Sequence, residues 1–253
     1  MPLNYLESGP EEAPTLLLVH PMGADKTFWD DCRALWSRRL HCIAVDLRRA
    51  DTPLSIEEHA DDLEAFRQSH KLTSIVPVGC AVGAMVTTAY AGMYPDRCRA
   101  LVLSNPGYCT LPKARAALTA RAMRVRSEGM EAVARDILGL IFHGCPEDER
   151  RAQYLKRFVR LDSESYALEI EGMLDADMSP HLSTIAAPSL IVAGGNDRLL
   201  PPEHARRIAA ELPEAEFVMV EDGAHFIPYQ RPTDFTALVD AFLERTIGSG
   251  RSS

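Results

Sequence analysis

The stretch Ile75-Val76-Pro77-Val78-Gly79-Cys80-Ala81-Val82-Gly83-Ala84 decides the fold. A short apolar run ends in glycine, and a second glycine four residues on lies in a segment, Val82 to Met93, that reads as a helix. This is the strand–turn–helix frame of a nucleophile elbow, Gly-x-Ser-x-Gly. The frame needs small residues two positions to either side of its centre, because the central residue occupies a strained turn pressed against neighbouring backbone. Alanine, Ala81, stands where the frame has serine. By itself the stretch is also compatible with a Gly-rich turn that has no catalytic history, so its surroundings carry the argument.

Outward from this frame, short leucine-rich or β-branched runs alternate with helical patterns. Thr15 to Val19, Cys42 to Val45, Ile75 to Val78, Ala100 to Leu103, Ser189 to Ala193 and Glu216 to Val220 read as strands. Near-continuous apolar strands separated by helices indicate a mostly parallel sheet covered on both faces, an α/β fold. Ser55-Ile56-Glu57-Glu58 is a capping-box pattern that starts a helix running to His70, and Pro202 to Leu212 reads as another. The rhythm breaks once. From about 111 to 183 only helical patterns occur: Ala114 to Ser127, Gly129 to Phe142 and Glu147 to Val159. We therefore expect a core of residues 1–110 and 184–247, a helical cap or lid over 111–183, and a flexible tail over 248–253. The cap is expected over the Ala81 end of the sheet, with Met123, Ile137, Leu138, Ile141, Phe142 and Met173 divided between packing and pocket lining.

Three further motifs fall at strand ends. Val19-His20-Pro21-Met22-Gly23 follows the first buried strand, and such a loop can present a backbone N–H to an oxyanion. The expected donors are Met22 and Val82, the residue after the elbow centre. Asp197 lies just past the strand 189–193, in Gly194-Gly195-Asn196-Asp197-Arg198, and His225 lies beyond the last strand, in Asp222-Gly223-Ala224-His225. Open α/β sheets place their sites at such carboxyl ends. The chain order is elbow, acid, histidine, so Ala81, Asp197 and His225 are the candidate catalytic positions, with Asn105 as the next candidate partner for the histidine.

On these residues the chain resembles the α/β-hydrolase superfamily, and within it the 3-oxoadipate enol-lactonases of aromatic catabolism. Pro21-Met22-Gly23-Ala24-Asp25 with Phe28-Trp29, Asp46-Leu47-Arg48, the elbow frame, Val125-Arg126-Ser127-Glu128-Gly129-Met130, the run Ala187 to Pro202, and His225 carry the match. The resemblance implies an α/β-hydrolase fold with a helical cap, hydrolysis of a small ester, lactone or related carbonyl compound, and no cofactor or metal. It departs in two places. The family's Asp-x-Arg-Gly-x-Gly loop is here Asp46-Leu47-Arg48-Arg49-Ala50-Asp51, losing its glycines and adding a cation, and the family's serine aligns with Ala81.

A methyl group cannot attack a carbonyl, so the acyl-enzyme route is closed to this chain. Three readings of Ala81 stay open: a hydrolase inactivated by a serine-to-alanine change, an enzyme in which the His225–Asp197 pair is a general base without serine, acting on a water or, as in cofactor-free oxygenases and lyases that the superfamily resemblance brings in, on a substrate C–H or O–H, and a binding protein on the same fold. Cys80 is a poor substitute nucleophile, since the strand's alternation turns its side chain away from that of Ala81.

Composition narrows the partners. A net charge of −9 over 253 residues argues against a nucleic-acid or anionic-membrane surface. The six cysteines lack metal-ligand spacing and read as reduced thiols. No stretch is long enough to span a membrane, and the first residues carry no leader pattern, so the expected compartment is the cytoplasm and the expected partner a small molecule.

Overall fold

The computed structural model describes residues 3–248, so 249–253 of the expected tail lie outside the described residues. Seven strands form one sheet: β1 (Tyr5–Ser8), β2 (Thr15–Val19), β3 (His41–Val45), β4 (Val76–Cys80), β5 (Leu101–Ser104), β6 (Ser189–Gly194) and β7 (Ala215–Val220). Their order across the sheet is β1-β3-β2-β4-β5-β6-β7, and every pairing is parallel except β1 with β3. β1 is a strand the sequence reading did not anticipate. It has four residues at a sheet edge with one side half-exposed, and so lacks the apolar run that marks the buried strands.

The helices are α1 (Asp30–Trp36), α2 (Ile56–Ser69), α3 (Val82–Met93), α4 (Pro112–Glu128), α5 (Met130–Ile141), α6 (Glu149–Phe158), α7 (Ser163–Gly172), α8 (Ser179–Leu182), α9 (Pro202–Glu211), α10 (Ile227–Gln230) and α11 (Pro232–Thr246). At α2 the capping box forms as expected: Glu58 N–H donates to Ser55 Oγ while the Glu58 carboxylate accepts from Ser55 N–H. The described residues between β5 and β6 are built from α4 to α8.

Period-two alternation along the strands distributes the core between two faces. Leu16 and Leu18 of β2, Val76 and Val78 of β4 and Val102 of β5 pack with Trp36 of α1 and Phe235, Val239 and Phe242 of α11. Leu17 and Val19 of β2 with Ile43 and Val45 of β3 pack instead with Leu63 and Phe66 of α2 and Val86, Ala89 and Tyr90 of α3. Both faces are therefore dry, which is why these strands carry no polar alternation.

One expected core residue is misplaced. Met123 is 66% exposed, whereas Ile137, Leu138, Ile141, Phe142 and Met173 are buried. α4 buries only Ala122 and Val125, three apart on one face, and Met123 lies about 100° round the helix from Ala122. No helix among the described residues is long and apolar enough to cross a membrane.

Candidate active site

The turn between β4 and α3 holds Ala81 at φ 52° and ψ −113°. These are the angles of the first central position of a type II′ turn, where glycine is the usual residue. The glycines of the frame are steric requirements. A Cβ on Gly79 would lie 2.3 Å from the Gly83 carbonyl oxygen, and one on Gly83 would lie 2.2 Å from the Val19 carbonyl oxygen. Close contact of α3 with the end of β2 thus draws the turn tight and leaves Ala81 in a conformation costing on the order of 1–3 kcal/mol. Its N–H donates to the Ser104 carbonyl at 2.9 Å, fixing the turn to β5.

Asp197 follows β6 and His225 follows β7, and the structure brings them together. His225 Nδ1 lies 2.8 Å from Asp197 Oδ2, with both residues buried at 6% and 3% exposure. Leu199 and Leu200 donate their amides to Asp197 Oδ1, each at 2.9 Å, and Asn105 Nδ2 donates to Oδ2 at 2.8 Å. Burial pushes the Asp197 carboxyl up, but electrostatic attraction to His225 and these hydrogen bonds more than offset it and hold the group below the usual carboxylate range. An acceptor-only carboxylate fixes the proton of a neutral imidazole on Nδ1, and Nε2 is left without a protein partner among the described residues.

Asn105 therefore supports Asp197 and does not compete with it. Its backbone adopts φ 50°, its Nδ2 also donates to the Ala224 carbonyl at 3.1 Å, and its Oδ1 accepts from Ser104 Oγ at 3.0 Å. The residue tying the β5, β6 and β7 ends together was visible in sequence only as a polar residue after a strand.

The loop after β2 is fastened from two sides. His20 Nε2 accepts from Leu47 N–H at 3.0 Å, which puts the ring proton on Nδ1, 2.8 Å from the Pro21 carbonyl. Burial lowers the His20 pKa, keeping the ring neutral for that role. From the other side, Tyr154 Oη of α6 donates to the Gly23 carbonyl at 2.9 Å, and Glu169 of α7 accepts from Gly23 N–H at 3.1 Å. Among the described residues the Met22 amide has no protein acceptor. Val82 opens α3, so its N–H is one of the unpaired first-turn amides. Neither Tyr154 nor Glu169 was singled out in the sequence, because a helical pattern does not say which way a side chain points across a loop.

Cys80 is fully buried with its thiol 3.8 Å from the His225 carbonyl oxygen, and burial pushes its pKa well up, so it carries no thiolate. Arg48 pairs with Asp62 at 2.7 Å and Arg49 sits 3.8 Å from Glu169. The 112–182 segment also reaches the histidine loop, where the Ile141 carbonyl accepts from His225 N–H at 3.2 Å and Gln230 Nε2 at 2.9 Å. Among the described residues no group of three or more His, Cys, Asp or Glu side chains could hold a metal ion.

A protein-family model described as alpha/beta hydrolase fold matches residues 14–232. The chain is 26% identical over 246 residues to the "Putative carbamate hydrolase RutD" of Pseudomonas syringae pv. syringae (strain B728a), covering 92% of this chain and 94% of that one. Among solved structures, a thermophilic esterase from Thermogutta terrifontis (malate bound) superposes with a TM-score of 0.88 at 26% identity, covering 96% of this chain and 93% of the other. The enol-lactonase from Burkholderia xenovorans LB400 gives a TM-score of 0.87 at 26% identity, covering 95% and 96%.

Proposed function

The chain belongs to the alpha/beta hydrolase fold family, and from that premise we propose that it is an enzyme acting on a small ester, lactone, carbamate or related carbonyl compound, with the His225–Asp197 pair as general base and no covalent intermediate. One observation carries this reading: a buried carboxylate held by four hydrogen bonds aligns His225 through Nδ1 and leaves Nε2 unpaired. In this reaction a water beside the Ala81 methyl gives a proton to Nε2 as its oxygen bonds to the carbonyl carbon. The developing oxyanion lies on the Met22 and Val82 amides, and the imidazolium returns the proton to the leaving oxygen or nitrogen as its bond to carbon breaks. Residues 111–183 serve as the cap that keeps bulk water out, a role supported by the bonds from Ile141, Tyr154 and Glu169 to the His225 and Gly23 backbones.

A specific observation favours a second reading, a hydrolase silenced at its nucleophile. The turn holds Ala81 in a strained conformation that presents a side chain with no reactive atom. The test is a panel of p-nitrophenyl esters, enol-lactones, carbamates and 2-hydroxy-6-oxo-dienoates, assayed on this chain and on its His225→Ala and Ala81→Ser variants. The general-base reading expects turnover in the chain itself that His225→Ala abolishes. An inert chain whose Ala81→Ser variant gains several orders of magnitude overturns it for the second reading, since loss of a serine nucleophile costs about 10⁶ in turnover. No turnover in any variant leaves a binding protein.

A further inference from the structure

We propose that Glu169 is a positioning residue for the oxyanion loop: its carboxyl, carried on α7, holds the Gly23 amide and thereby anchors the Met22 Cα from which the Met22 amide projects. This rests on the reading of Met22 as an oxyanion donor. Gly23 has φ 71°, and both of its backbone polar groups bond outside the sheet, N–H to Glu169 and carbonyl to Tyr154. Neither bond comes from β2 or α3, the elements that carry the loop and the elbow. The Met22–Gly23 and Gly23–Ala24 peptide planes are thus both held by the 112–182 segment, which anchors the chain on one side of the Met22 Cα, while the His20 bond to the Pro21 carbonyl holds the Pro21–Met22 plane that carries the Met22 N–H on the other.

Packing enforces the same arrangement. A Cβ on Gly23 would lie 3.1 Å from the Tyr166 ring and 3.2 Å from the Phe158 ring, so α6 and α7 approach the loop as closely as a glycine allows. Arg49, from the loop that departs from the family pattern, stands 3.8 Å from Glu169 Oε1, while Oε2 receives Gly23. One oxygen therefore holds the loop and the other is held by a cation, which restrains the carboxyl at both ends. Arg49 then has a task in a chain whose glycines at that loop are gone. An ionised carboxyl beside an oxyanion would oppose the developing charge, and burial shifts Glu169 toward its neutral form against the pull of the Gly23 amide and Arg49.

The test uses the full ¹⁵N-labelled chain and its Glu169→Gln and Glu169→Leu variants. The glutamine variant keeps an acceptor and the leucine variant removes it. Glu169→Leu is expected to move both the Gly23 and the Met22 amide resonances and to speed their hydrogen exchange about tenfold or more, while Glu169→Gln retains the parent pattern. In the Ala81→Ser background with p-nitrophenyl acetate, Glu169→Leu is expected to lower kcat about 100-fold with KM little changed, and Glu169→Gln to restore most of it. A Met22 amide that stays put when Gly23 moves overturns the proposal, as does a glutamine variant that behaves like leucine. Should Glu169→Leu not fold, Glu169→Asp, one methylene short of the loop, gives the same comparison. The amide spectra need no turnover, so an inert Ala81→Ser chain counts against the silenced-hydrolase reading and leaves the spectra to decide the role of Glu169.

Discussion

Asn105 donates Nδ2 to Asp197 Oδ2 at 2.8 Å, the same oxygen that His225 Nδ1 reaches at 2.8 Å. The other oxygen is held by two backbone amides, so the carboxylate cannot turn without breaking bonds on both sides. A residue outside the candidate triad thus fixes the plane in which the imidazole lies.

Replacing that donor by an acceptor is informative. Asn105→Asp sets a second carboxyl against Asp197, and two carboxylates sharing a site raise the pKa of one of them. The folded variant then binds a proton that the unfolded chain has already released, so its stability falls as pH rises. Urea unfolding is expected to show a loss of about 1–3 kcal/mol relative to the parent at pH 7 and a smaller loss at pH 5. Equal losses at the two pH values would mean the carboxyls do not interact.

Ala81 offers a direct measure of the elbow's strain. Ala81→Gly places the residue that a type II′ turn favours at φ 52°, ψ −113°. Relief of the side-chain clash is partly offset by the greater freedom of glycine in the unfolded chain, for a net gain of about 1 kcal/mol. Thermal unfolding is expected to rise by roughly 2–4 °C. An unchanged or lower midpoint would argue that the turn stores no strain at this position.

Acid sensitivity is expected to originate in buried histidines. Burial pushes the His59 pKa down to about 4 despite the opposing charge of Asp62, and its Nδ1 is buried without a partner. In the unfolded chain His59 takes up a proton near pH 6.5 while the folded protein does not until about 4. The unfolded state binds more protons across that window, so stability is lost as pH falls through it, by roughly 3 kcal/mol at its lower end. His20, also lowered by burial, adds in the same direction. His59→Leu is expected to flatten much of the decline between pH 6.5 and 4, measured by denaturant unfolding. A variant with the parent slope would shift the origin to His20 or elsewhere.

Much of this architecture was legible in the sequence, because it follows from local sterics and short periods. The glycines at 79 and 83 mark a turn where a Cβ would strike backbone at 2.3 and 2.2 Å. The apolar runs at 15–19 and 189–193 coincide with β2 and β6 within a residue, since strands dry on both faces leave no room for polar positions. The chain order of Ala81, Asp197 and His225 put each at a strand end, and the parallel sheet collects those ends on one edge. The rest depended on tertiary structure. That Glu169 and Tyr154 seize the two sides of Gly23 and that Met123 faces outward turn on how α4 to α7 pack, and that Asn105 serves Asp197 turns on how the ends of β5 and β6 meet. A helical pattern specifies which residues share a face but not what that face meets, and contacts between residues 92 or 146 apart in the chain exist only after packing has chosen one arrangement.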